Sequence, residues 1–62
     1  MPVALIRTHD IESAKTLFEG LGLTFVREQH GSGPIHYACE VGDTVFEIYP
    51  AKPDGPEALE FR

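Results

Sequence analysis

The chain contains a single cysteine, Cys39, so no disulfide can form within it, and no Cys/His spacing of the zinc-finger kind is present. Of the usual staples of a small domain, association with a partner is the one left open. Basic residues are scarce as well. Five Lys and Arg stand against ten Asp and Glu, a formal charge of −5. That balance excludes nucleic-acid binding, which needs clustered cations to displace phosphate counterions, and docking on anionic membranes. No basic segment with an apolar run precedes a cleavage site, so no signal peptide is expected and the cytoplasm is the default compartment. In 62 residues neither a second domain nor a transmembrane span is expected. There is no internal repeat and no low-complexity tract. What is present is the composition of a folded soluble domain, 42% hydrophobic and 24% charged.

Residues 2–8 carry the apolar run Val3-Ala4-Leu5-Ile6, which predicts a strand buried on both faces with Pro2 at its start. The period changes at His9-Asp10. Asp10 is a good N-cap, and Ile11, Ala14, Leu17, Phe18 and Leu21 follow at helical spacing, predicting a helix over 11–20 ended by Gly20 and Gly22. Residues 23–29 read as a strand centred on Phe25 and Val26, and 30–34 as a loop. Residues 35–41 alternate, with Ile35, Tyr37, Cys39 and Val41 on one face and His36, Ala38 and Glu40 on the other. Gly42-Asp43 is a hairpin signal, and 44–49 form the last strand, stopped by Pro50. The expected architecture is α+β: one βαβββ module over 1–50 with a four-stranded mixed sheet and a helix on one face, then a Pro-rich C-terminal tail over 51–62. In that tail Ala58, Leu59 and Phe61 are either docked or frayed.

One helix covers one face of a sheet. The first and last strands carry apolar side chains on both faces, Ala4 and Ile6 against Val3 and Leu5, and Phe46 and Ile48 against Val45 and Tyr49. An uncovered apolar face is unusual on a monomer, so the module is expected to be completed by a second copy, as a homodimer or higher homo-oligomer.

In this order the sequence resembles the vicinal oxygen chelate superfamily, which includes glyoxalase I, bleomycin-resistance proteins and extradiol dioxygenases. The resemblance spans residues 3–51. It rests on Asp10-Ile11-Glu12-Ser13-Ala14 opening the helix, on Leu17-Phe18-Glu19-Gly20-Leu21-Gly22-Leu23, on His36-Tyr37-Ala38, on Gly42, and on Val45-Phe46-Glu47-Ile48-Tyr49-Pro50. The family builds its site from two such modules joined into a cup around a metal or ligand. The resemblance therefore implies that two chains supply the halves, unless the chain is the first half of a longer one.

Glu47 is the leading candidate for chemistry, as catalytic residue and metal ligand. A carboxylate between Phe46 and Ile48, sharing its face with Val45 and Tyr49, costs desolvation unless it is paired, protonated or metal-bound. Metal-dependent members of the family carry a Glu ligand in the last strand of each module. The competing role is an ion pair with Arg7 of the first strand. Aligned on Asp10-Ile11, Val3 stands where those members carry a first-strand His, and valine cannot bind a metal. His36 is a second metal candidate on the cup side, against the alternative of a partly buried His bonded to backbone or to Glu40. Tyr49 and Arg7 complete the expected ligand-binding set, while His9 and His30 read as loop residues and Cys39 as core.

Three functions follow. The first is a pocket with metal-assisted lyase or dioxygenase chemistry, the cofactor being a divalent ion such as Ni, Zn, Fe or Mn. The second is metal-free sequestering of an aromatic or cationic small molecule, as in resistance proteins. The third is a truncated half-domain without activity.

Overall fold

A computed structural model of the chain describes residues 2–62. The elements run β1 (Val3–Thr8), α1 (Ile11–Gly20), β2 (Val26–Glu28), β3 (His36–Val41), β4 (Thr44–Pro50) and β5 (Ala58–Phe61). They form one helix and one mixed sheet in the order β2-β3-β4-β1-β5. The sheet has five strands, which corrects the expected four. Within the Pro-rich segment, Ala58–Phe61 pairs antiparallel with β1, Ile6 opposite Leu59 and Leu5 opposite Glu60. The pairing extends to Val3 and Arg62, whose backbones exchange both hydrogen bonds at 3.1 and 2.7 Å. Without β5, β1 would be an open sheet edge.

The helix follows its sequence signals. The Asp10 carboxylate accepts from the Ser13 amide at 3.0 Å, satisfying one of the free first-turn donors. At the other end Leu23 N–H donates to Phe18 O and Gly22 N–H to Glu19 O, and Gly22 has φ +99°: a Schellman motif, which requires the left-handed region. Gly42, at φ +63°, opens the two-residue β3–β4 turn; the following Asp43 has no positive φ, the type II′ pattern.

The core lies between α1 and the sheet. Phe25, Tyr37, Cys39 and Ile48 form its buried centre, packed by Ile6, Ile11, Ala14 and Phe18 among others. Phe18 meets Phe46 edge-on at 5.0 Å between ring centroids, and Phe25 closes the aromatic triangle. Not all of the helical stripe is used: Leu17 and Leu21 remain exposed, as do Leu59 and Phe61 on the helix side of β5. Phe25 lies just before β2, which spans three residues where seven were expected. No helix among the described residues is long and apolar enough to cross a membrane.

Candidate functional site

The face of the sheet away from α1 is set by strand register. One row crosses it as Val26, Ala38, Glu47, Leu5 and Glu60. The adjacent row places Glu28 opposite His36 and Arg7 opposite Tyr49. Period-two alternation thus brings all four expected site residues, Arg7, His36, Glu47 and Tyr49, onto one face. A concavity of about 430 Å³ opens on the β2–β3–β4 side, lined by Val26, Glu28, Ala38, Glu40, Val45 and Glu47.

His36 is the most enclosed of these groups, 1% exposed. Its ring stacks on Tyr49 at 4.2 Å and 8°. His30, from the β2–β3 loop, is tilted against it with 5.1 Å between ring centroids. Three features fold that loop back: the Gly33 backbone amide donating to the His30 carbonyl, the Gln29 side-chain Nε2 donating to the Gly33 carbonyl, and Gly31 at φ +59°. Nδ1 of His36 is 3.2 Å from the Pro34 carbonyl oxygen, and Nε2 is 3.2 Å from Glu28 Oε1 and 3.9 Å from Glu47 Oε2. A carbonyl only accepts, so Nδ1 donates to it, and Nε2 is left facing two carboxylates. Among the described residues, Glu28, His30 and His36 form a group that could hold a metal ion, with one ligand atom from each lying within 4.8 Å of the others.

Arg7 does not pair with Glu47. Its Nε donates to Glu60 Oε1 at 2.8 Å, and its guanidinium lies 5.5 Å from the Tyr49 ring centre. The Arg7 hydrogen bond holds the Glu60 carboxyl below its ordinary range, while burial, then the Glu47 charge, pushes the Tyr49 phenol up. His36 takes a backbone carbonyl and Glu28 as partners in place of Glu40. Glu47 is largely buried on the open face, with its Oε2 3.9 Å from Nε2 of His36 on β3. Val3 pairs with Val45 at the other end of β1 and offers no donor atom, so the paired His and Glu of the family's first and last strands are not both present. Cys39 is buried in the core, as its alternation implied.

Two members of the cluster escaped the sequence reading. Glu28 shares the open face with Val26 by simple alternation, and the signal was its place two residues before the Gly-rich loop. His30 is exposed, as a loop residue should be, yet hairpin pairing across that loop returns it to His36. Compared with family models, curated proteins and solved structures, the chain matches none of them.

Proposed function

We propose that the chain is a glyoxalase-type module of the vicinal oxygen chelate superfamily that pairs with a second copy across its open face and encloses a small-molecule pocket in the cytoplasm. The observation that supports this reading best is the gathering of Arg7, His36, Glu47 and Tyr49 on the uncovered face, beside a concavity of about 430 Å³. Concave sites of this size with a few convergent polar groups are the usual form of small-molecule pockets. Tyr49 and Arg7 offer a flat aromatic surface and a cation to a ligand, and Glu47 a carboxylate that acts as base. In the metal-assisted form of this reading, a divalent ion held by Glu47 and His36 would polarise a substrate oxygen for lyase or dioxygenase chemistry. In the metal-free form, the same face sequesters an aromatic or cationic molecule, a version favoured by the Arg7–Tyr49–His36 stack.

Native mass spectrometry of tag-free protein tests the reading. A dimer or higher homo-oligomer is the expected species. A folded monomer across micromolar concentrations would overturn the shared pocket.

A further inference from the structure

Three groups at one edge of the open face, Glu28, His30 and His36, each bring one ligand-type atom within 4.8 Å of the others. We propose that Glu28, His30 and His36 form a mononuclear site for a divalent transition ion of the zinc class, with Glu47 on the fourth side. This deepens the metal-assisted form of the proposed function by naming ligands outside the first and last strands, but it lies within one chain and does not depend on pairing.

Orientation is the first argument. The His36 ring is 1% exposed and stacked on Tyr49 at 4.2 Å, so it cannot turn away. The Pro34 carbonyl takes the Nδ1 proton, the backbone partner that commonly fixes the tautomer of a metal-bound histidine. Nε2 of the same ring faces Glu28 Oε1 at 3.2 Å and Glu47 Oε2 at 3.9 Å. With the Pro34 carbonyl taking the Nδ1 proton, a metal ion would take the place of a proton between Nε2 and the carboxylates.

Distance is the second argument. Ligand atoms about 2.1 Å from a tetrahedral ion stand roughly 3.4 Å from each other. The edges here are 3.2 Å from His36 Nε2 to Glu28 Oε1, 3.7 Å from His30 Nε2 to Glu28 Oε1, and 3.9 Å from His36 Nε2 to Glu47 Oε2. The two edges to Glu28 need shifts of a few tenths of an ångström; the third edge of the Glu28, His30 and His36 group lies within 4.8 Å and closes by movement of His30, 75% exposed at its side chain.

Donor chemistry chooses the ion. Two imidazoles with carboxylate oxygen suit zinc, cobalt or nickel, whereas calcium and magnesium ask for a shell of oxygens. Glu28 and Glu47 match the charge of a divalent cation. Exposure of His30 and of half of the Glu28 surroundings leaves the ion reachable from solvent, and three ligands plus an open or weakly filled fourth side is the pattern of reactive rather than purely structural zinc.

The test is titration of the full chain with Zn²⁺ and Co²⁺, read by native mass spectrometry and by the visible absorption of four-coordinate Co²⁺. One ion per chain is expected. His30→Ala and Glu28→Gln remove exposed or half-exposed groups and leave the core alone; each is expected to weaken binding by about tenfold or more. In the wild-type chain, nitrogen NMR shifts of His36 Nε2 and His30 Nε2 are expected to move on Zn²⁺ addition. A folded chain that takes up no ion overturns the site, as does uptake that neither substitution weakens. A monomer that binds one ion upholds the site while overturning the pairing, and an oligomer that binds none does the reverse.

Discussion

Tyr37 donates its hydroxyl to Glu12 Oε2 at 2.5 Å, a charge-assisted bond from the third strand to the first turn of the helix. That bond, followed by burial, raises the Tyr37 phenol above its ordinary value; burial, then the Glu47 charge, raises Tyr49. Raised phenols bind their protons more tightly in the folded chain than in the unfolded one. Their contribution is therefore complete below about pH 10, where free tyrosine titrates, and is lost as pH climbs through the folded values. Phenolate absorbance should rise later in the folded chain than in urea, with Tyr37→Phe removing one of the two late transitions. Ile48 has no exposed surface and sits at the centre of the core. Ile48→Ala is expected to cost about 2–5 kcal/mol. A core of this size rarely supplies more than ~3–5 kcal/mol, so the variant should be largely unfolded at 25 °C by circular dichroism, whereas Ile48→Val, at about 0.5–1.5 kcal/mol, should fold. Residue-scale alternation also made most of the open face legible in the sequence. His36, Glu47 and Tyr49 share it because each side chain is an even number of positions, or a register partner, away from the next. Glu28 follows from alternation along β2, whereas the return of His30 to His36 was not legible, because it depends on how the loop between β2 and β3 closes.

The helix was readable at both ends because its signals are local: a capping Asp, a spaced apolar stripe and a glycine at the left-handed position. Asp10→Ala should lower Tm by roughly 5 °C, since the bond to the Ser13 amide has no substitute in the first turn. The fifth strand was not readable. Pro53, Gly55 and Pro56 mark a break before it, and its apolar positions Leu59 and Phe61 stay exposed, so hydrophobic patterning carries little of its stability. Its attachment comes from long-range pairing: the ladder to β1, Arg7 with Glu60, and Glu57 accepting from the Thr8 hydroxyl at 2.8 Å and the His9 amide at 2.9 Å. The His9 amide and then the Thr8 hydroxyl lower the Glu57 carboxyl, and Arg7 lowers Glu60. Lowered carboxyls stabilise the folded chain above about pH 4 and lose that contribution as pH falls through the folded values. β5 should consequently release at acid pH. Hydrogen exchange at low pH is expected to show the Glu60 and Arg62 amides, which face β1, losing protection before those of β3 and β4; equal loss throughout the sheet would show that β5 is not a separate unit.

For the whole molecule, the question is whether 62 residues with this surface stand alone. Leu17, Leu21, Val26, Leu59 and Phe61 are each at least 60% exposed, a large share of the apolar side chains of so small a unit. The open face is less apolar than the sequence pattern implied, because Leu5 is wholly buried by its neighbours and Glu47, His36 and Arg7 sit among the valines. Leu17, Leu21, Leu59 and Phe61 lie on the helix side and Val26 borders the polar groups of the open face, so each face offers a different surface to a second copy. Association that favours the folded state makes stability depend on concentration through mass action. Tm is accordingly expected to rise with protein concentration, and Val26→Lys, which places a charge at the rim of the open face away from the core, should abolish that rise while leaving the dilute-limit Tm nearly unchanged. Leu17→Lys, on the helix side, should leave the concentration dependence intact. If the helix-side substitution abolishes it instead, the copies meet through the exposed stripe of α1, and the pocket belongs to a single chain.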